Sequence, residues 1–456
     1  MTELYAVDSR ILNKYNINGP RYTSYPTALE FHSDFTEKDL IEAVATSGRK
    51  ELALYLHIPF CHSLCYYCGC NKIVTRHRDK ADEYLDSLIK EIETKAAYFR
   101  EYRVKQLHLG GGTPSFLTEA QFSRLMAKLN EHFAFVQDAE MGIEIDPREI
   151  ELELLDHLRA LGFNRLSFGL QDTNKEVQAA INRVQDTEFV AALIKRGRAL
   201  GFSSINLDVI YGLPHQTAER FAKTIVDVLA LDPDRISLFS YAHLPSRFSA
   251  QRKIKDAWLP TGEAKLALMF DAINTLTSSG YVAIGMDHFA KPDDELAIAQ
   301  TNGTLHRNFQ GYTVLANCDL LGLGVSAISS IGNVFCQNEK HVKTYYRLVD
   351  ENGSAIVKGL TRTRDDDVRG ALIKQLMCNF SLDIVAFEQE SGIAFAEYFE
   401  TELQRLTPFI QDELVTVNDA RIVINPTGRL LVRTICMTFD RYMAKQVNQQ
   451  RFSRVI

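Results

Sequence analysis

Four cysteines fall between positions 61 and 70, as Cys61, Cys65, Cys68 and Cys70, in the spacing C-x3-C-x2-C-x-C. They are half of the chain's eight; Cys318, Cys336, Cys378 and Cys436 are scattered. Thiolates this close together suit a soft metal. Iron–sulfur clusters take cysteine ligands, and three ligands from one tight loop leave an iron open to a substrate or cofactor. A structural zinc ion is the competing use. Its ligands usually come as two pairs split by a longer connection, and this string strains that tetrahedron. A ferredoxin-type carrier is disfavoured because no distant Cys-Pro ligand follows. Disulfides are not expected either. Residues 1–50 lack a basic stretch followed by an apolar one, so the chain reads as cytoplasmic, where thiols stay reduced.

Further residues with chemistry follow at intervals. Gly110-Gly111-Gly112-Thr113-Pro114 closes an apolar run. It matches neither the P-loop nor the dinucleotide pattern. Its use is close backbone approach to a ligand, with carbonyls free to accept from an ammonium. Glu144 and Asp146 are two apart at the end of another run, so they face the same way. Such a pair can do acid–base work or bind a ribose or ammonium, and Asp146 can also brace the turn at Pro147-Arg148. Gln171, Arg183, Asp208 and Ala242 come next. Arg183 has the planar fork that pairs with a carboxylate; a plain surface arginine is the alternative.

The elements that must position these residues alternate. Strand-like runs at 52–58, 104–109, 139–145, 165–170, 204–210 and 235–240 are separated by helical spacing at 81–97, 119–133, 151–161, 188–200 and 218–231. Gly162 and Gly201 mark helix ends. Such alternation implies a parallel sheet with right-handed crossovers. Six units are too few for a full barrel, so the expected fold is α/β, a partial (β/α)6 TIM-like barrel. Ligands gather at the C-terminal ends of barrel strands. The cysteine loop, the glycine run, Glu144, Gln171, Asp208 and Ala242 each close a different run and therefore share one rim. Around this catalytic domain (49–290) we expect an N-terminal arm over the active site (1–48) and a connecting extension (291–360). A mostly helical, winged-helix-like C-terminal domain (361–456) carries a hairpin at 414–424.

The bulk numbers narrow the partners. A net charge of −7 argues against nucleic acid and anionic membranes. No apolar stretch approaches the ~18 residues of a membrane span. Lys72, Arg76, His77 and Arg78, and also Arg252, Lys253 and Lys255, leave room for an anionic small substrate, with a solvated charged face as the alternative. No coiled-coil pattern argues for an oligomer, so a monomer is expected.

With Tyr67 before the third cysteine, C-x3-C-x2-C after a strand resembles the signature of the radical S-adenosylmethionine (SAM) superfamily. Tyr55-Leu56-His57-Ile58-Pro59-Phe60-Cys61 together with Gly69-Cys70-Asn71-Lys72 is more specific. It resembles the oxygen-independent coproporphyrinogen III oxidase (coproporphyrinogen dehydrogenase) family, and the likeness runs from 19–26 to 452–456. The resemblance implies a 4Fe–4S cluster on Cys61, Cys65 and Cys68, with SAM on the fourth iron and only an auxiliary role for Cys70. SAM contacts would come from Tyr55, Tyr67, Gly111, Gly112, Thr113, Glu144, Gln171, Arg183, Asp208, Ala242 and Ile328. A second SAM would lie near Gln310 and Ile328. Arg21 and the basic cluster after Cys70 would anchor the substrate, coproporphyrinogen III.

The implied reaction turns two propionates of coproporphyrinogen III into vinyl groups, giving protoporphyrinogen IX for haem synthesis. The hydrogen removed sits on an unactivated carbon beyond a protein base, so the cofactor must supply the radical. An electron donor and a final acceptor come from outside the chain. A haem chaperone and a haem-degrading radical SAM methyltransferase on the same fold are the alternatives. Cys70 and the 307–313 segment favour the enzyme over the first, and the 19–27 segment favours it over the second.

Overall fold

The computed structural model describes residues 9–443 together with 452, 454 and 455. The first eight residues of the expected arm lie outside the described residues, as do 444–451 and, in the C-terminal string, Ser453 and Ile456.

All six strand-like runs are strands: β1 Glu51–Ile58, β2 Arg103–Gly111, β3 Ala134–Ile145, β4 Arg165–Gln171, β5 Ser204–Tyr211 and β6 Arg235–Ser240. They pair in sequence order and in parallel. The crossovers include α1 Lys80–Ala96, α2 Glu119–His132, α3 Glu153–Ala160, α4 Thr187–Ala199 and α5 Ala218–Ala230. Parallel strands are covered on both faces, so they read as continuous apolar runs. In β1, Leu52, Leu54, Leu56 and Ile58 are fully buried, and Ala53 nearly so. The helices stop where expected. Beyond α3 and α4, Gly162 and Gly201 take φ of +99° and +77°, which a side chain would strain.

Two features depart from the sequence reading. β3 starts at Ala134, five residues early, because 134–135 pair with Arg103 and Val104 before an irregularity carries the register on to Glu140. The polar residues 137–138 within that irregularity interrupt the apolar pattern. The second departure is a seventh parallel strand, β7 Cys318–Leu323, on the other edge of β1, where Glu51 faces Cys318. From β7 the sheet continues antiparallel through β8 Ile328–Ile331, β9 Val334–Asn338 and β10 Ile356–Thr361.

The chain divides into two compact units that do not follow chain order. The first unit, Phe31–Pro260 with Asn317–Thr361, holds β1 to β10. The second gathers Thr261–Ala316 with the residues up to Glu30 and from Arg362 onward. It contains the helices Gly262–Ser278 and Arg364–Asn379, a hairpin of His306–Asn308 with Gly311–Thr313, and a three-stranded sheet. In that sheet Val415–Val417 pairs with Arg421–Ile424, and the Asn418 carboxamide oxygen accepts from the Ala420 and Arg421 amides to make the turn. With these helices around a short hairpin, the C-terminal part is mostly helical. No helix among the described residues is long and apolar enough to cross a membrane.

In the first unit the β7–β10 extension is tied to α1 by a buried acid. Glu91 is fully buried, and its carboxylate accepts from the Tyr345 hydroxyl (2.7 Å), the Asn338 amide (2.6 Å) and the Gly324 N–H (2.8 Å). One turn on, buried Lys95 donates to Glu37 (2.6 Å) and Ser354 (2.8 Å). Removing one partner of such a network leaves the others buried and unpaired. Glu91→Ala should therefore cost about 3–5 kcal/mol. Urea unfolding followed by circular dichroism would read this, and an unchanged midpoint would refute it.

Candidate functional site

The cysteine loop leaves β1 at Pro59 and is pinned at both limbs. Phe60–Cys61 and Ile73–Val74 form a two-residue parallel clamp, with Ile73 N donating to Pro59 O (2.7 Å) and Thr75 N to Cys61 O (2.9 Å). His57 Nε2 bonds Asn71 O (2.9 Å). The crest is held from the barrel. Tyr66 N donates to Ile181 O, the Asn182 amide to Leu64 O, and the Gln251 amide to Tyr67 O (3.0 Å). Gln251 also reaches Ala242 O (3.1 Å), which ties the end of β6 to Tyr67.

The glycine run closes β2 against this loop. A Cβ on Gly112 would come within 2.7 Å of the Pro59 backbone, and one on Gly110 within 2.8 Å of Glu144 Oε1. Both spacings are closer than side chains tolerate, so the triplet exists for close approach. Thr113 then donates to Cys61 Sγ (3.3 Å). Glu144, from β3, accepts from the Gly111 N–H (3.2 Å) and pairs with His108 Nε2 (3.3 Å). Burial opposes its charge, but His108 and Gly111 outweigh that and lower its pKa. Its side chain is 44 % accessible, chiefly toward the cavity that it lines.

The next carboxylate is committed to the protein itself. Asp146 accepts from Arg148 (2.6 Å) and Arg183 (3.1 Å). Burial pushes its pKa up, yet Arg183 and Arg148 hold it at about 2. Both guanidiniums also reach Cys65 Sγ, at 3.3 and 3.5 Å. Arg183 further donates to Gly169 O (2.8 Å). Burial and the Glu144 charge raise Asp208 to about 6. Among the thiols, burial lifts Cys61 to about 11 against the Thr113 bond. Cys68 is held at about 6, mainly by its hydrogen bond with the Cys70 thiol, with burial opposing and Lys72 assisting.

These groups face one cavity of about 240 Å3, at the C-terminal ends of the parallel strands. Of the residues singled out from sequence, Cys61, Cys65, Tyr67, Cys68, Cys70, Gly111, Gly112, Thr113, Glu144, Gln171, Arg183 and Asp208 line it. Gln171 reaches it from a left-handed backbone, φ +61°. Ala242 sits behind Tyr67. Tyr55 lies one step back on the sheet, bonded to His57 (3.1 Å) and stacked on His108 at 6.2 Å. Ile328 opens β8, paired with Gln337. Arg21 and Gln310 belong to the second unit, where Arg21 is ion-paired to Asp287. Of the basic clusters, Lys72 lines the cavity and Arg78 approaches His62 (3.4 Å).

Sequence reasoning missed His108, the Arg148 contact to sulfur, and the lining residues Ser167, Gly169 and Phe239. A period of two counted back from Gln171 along β4 finds Gly169 and Ser167. Nothing in the spacing gives His108 or the reach of Arg148. As a metal site, three thiols open on one cavity and each has a donor on its sulfur, from Thr113, the two arginines or the Cys70 N–H. Among the described residues no three His, Cys, Asp or Glu side chains gather as one ion would require. Three thiols opening on one cavity are a donor set that a cluster, which takes cysteine thiolates, would fit.

Residues 55–228 match the radical SAM superfamily model, and residues 363–431 match the HemN C-terminal domain model. The chain is 58% identical over 449 residues to the oxygen-independent coproporphyrinogen III oxidase of Salmonella typhimurium, covering 98% of both chains. It is 57% identical to the Escherichia coli protein of the same name, again over 98% of both. A solved structure of coproporphyrinogen III oxidase (HemN) from Escherichia coli, described as a radical SAM enzyme, superposes with a TM-score of 0.93. It shares 55% sequence identity, over 96% of this chain and all of that one.

The glycine contacts give a local test. Gly112→Ala must push β2 away from Pro59, with a cost of about 1–3 kcal/mol. It should also speed modification of the buried Cys61 thiol by a thiol reagent. Unaltered stability and thiol reactivity would contradict the steric account.

Proposed function

Because the chain belongs to the oxygen-independent coproporphyrinogen III oxidase family of radical SAM proteins, we propose that it oxidatively decarboxylates two propionates of coproporphyrinogen III to vinyl groups, yielding protoporphyrinogen IX. One observation carries this reading. Cys61, Cys65 and Cys68 share a single cavity with the glycine run, Glu144, Gln171, Arg183 and Asp208. A haem chaperone or a haem-degrading methyltransferase is not favoured.

We take Cys61, Cys65 and Cys68 as ligands of a 4Fe–4S cluster and the facing residues as the SAM site. When bound, the cluster and SAM supply the one-electron chemistry that removes hydrogen from an unactivated carbon. The protein's own residues bind and hold. Glu144, kept ionised by His108 and Gly111, would accept from the methionine ammonium, with the glycine run beside it. Arg183, already shared between Asp146 and Cys65, presents its charge to a carboxylate or ribose, and Asp208 lies opposite. Tyr67 walls the cavity from Gln251 and Ala242. Tyr55 backs Glu144 through His108, and Ile328 contributes from β8. N–H donors from Arg148 and Arg183 on Cys65 favour the reduced cluster, since hydrogen bonds to ligand sulfur and positive charge raise its potential.

Cys70 is an auxiliary thiol in this scheme, its backbone N–H donating to Cys68 Sγ (3.4 Å). Lys72, which lines the cavity and donates to Cys68 O (3.1 Å), would serve as a propionate anchor, and Arg21 of the second unit is a separate candidate for that role. A second SAM would be held in this reading, with Gln310 as its candidate contact in the second unit. The free thiols throughout fit a reducing compartment, and we place the protein in the cytoplasm as a monomer. Its electron donor and final acceptor are separate molecules.

Anaerobic reconstitution followed by assay with coproporphyrinogen III, SAM and a reductant tests the whole reading. Carbon dioxide release and a divinyl product are expected. A protein that holds its cluster but releases neither would move the assignment to a chaperone, and stoichiometric zinc without iron would end it. Serine at Cys61, Cys65 or Cys68 should abolish iron and sulfide incorporation, whereas Cys70→Ser should keep both.

A further inference from the structure

The hairpin His306–Asn308 with Gly311–Thr313 carries donors that meet no acceptor. Arg307 Nε and Nη1 are buried without a hydrogen bond, and so is Gln310 Nε2. Two acceptors of the same unit are already engaged. Gln310 N occupies Asn308 Oδ1 (2.8 Å), and Arg21 occupies Asp287. The Tyr312 hydroxyl donates to Met377 O (3.2 Å), so it is not a free anion. The Arg307 guanidinium lies over the Tyr312 ring, 4.6 Å from its centroid, where the hairpin register sets the two residues opposite each other. Arg21 is close enough to act on the same tyrosine electrostatically.

An arginine is always charged, and burying the charge without a partner is strongly unfavourable. The face of Tyr312 compensates only in part. Unpaired guanidinium N–H groups together with an unpaired amide N–H2 form half of an anion site.

We infer that Arg307 and Gln310 form a carboxylate-binding subsite in the second unit. This rests on the function proposed above, whose reactants offer two carboxylate sources: the propionates of the tetracarboxylic substrate and the methionine carboxylate of SAM. Gln310, expected beside a second SAM, would then share its ligand with Arg307. Arg307 offers a planar carboxylate two unpaired guanidinium donors and Gln310 its amide, with the Tyr312 ring lying under the guanidinium.

The test uses the reconstituted holoenzyme. Binding of coproporphyrin III, the stable oxidised tetracarboxylate, is read by fluorescence quenching, and SAM affinity and stoichiometry by equilibrium dialysis. In Arg307→Met, coproporphyrin III should bind about ten- to a hundredfold more weakly, as expected for loss of a charged hydrogen bond. Arg307→Lys, which keeps charge without the fork, should fall between, and Gln310→Met should weaken the same ligand. Loss of SAM stoichiometry with porphyrin binding intact would assign the carboxylate to the cofactor instead. The ligand-free melting temperature of Arg307→Met should hold or rise, because two buried unpaired N–H donors are removed. A lower melting temperature with both affinities unchanged would make Arg307 structural and overturn the subsite. Equal binding of both ligands by wild type, Met and Lys variants would overturn it too. A wild-type holoenzyme that neither binds the porphyrin nor decarboxylates its reduced form would instead count against the proposed function.

Discussion

The clamp that closes the cysteine loop is the constraint from which the site follows. A ten-residue loop with four thiols has no core of its own, and free thiols in a loose loop would oxidise or scatter. Pairing Phe60–Cys61 with Ile73–Val74 fixes the two ends, and His57 ties the returning limb to the end of β1. The crest then has one place to go, over the rim, where Ile181, Asn182 and Gln251 receive it. Because Phe60 is buried and the clamp continues β1, the sheet itself aims the loop. The glycine triplet is the complementary half: β2 can approach Pro59 this closely only without side chains.

Charge follows the same geometry. The rim concentrates ionisable groups in a partly dry cavity, where each unpaired charge is unfavourable. The chain answers with internal pairing that still leaves something to offer. Asp146 is neutralised by two arginines, and those arginines spend their remaining N–H groups on Cys65. Glu144 is kept ionised by hydrogen bonds with His108 and the Gly111 N–H and so retains a negative charge. Asp208, with the charge of Glu144 beside it, is pushed toward neutrality. The result is a cavity of alternating sign, suited to a zwitterion.

How much of this could be read beforehand depends on the range of the interaction. The six strands and the rim were legible because parallel strands are written as short apolar runs and each ends in its own chemistry-bearing residue. The cysteine string carried its use in its spacing. Contacts between distant segments were not legible. Gln251 reaching Tyr67, His108 meeting Glu144 and Arg148 turning back to Cys65 follow from the curvature of the sheet, which no local pattern encodes. β7 escaped for a related reason. Cys318–Leu323 looks like a glycine-bearing packed strand, and nothing in it names β1 as its neighbour. The helix Lys175–Ala180 is too short for helical periodicity to show.

That late strand has a consequence for how the molecule is made. Glu51 on β1 and Cys318 on β7 are 267 residues apart in the chain. During synthesis one edge of β1 therefore stays unpaired while the whole barrel and part of the second unit emerge. At about 5–20 residues per second that is on the order of 15–50 s. Through this interval the nascent chain exposes an apolar strand edge directly beneath the cysteine loop, the kind of edge that pairs with other chains. The ribosome thus delivers the thiols early and the strand that seals their foundation late, so orderly maturation favours metal loading once β7 has paired with β1.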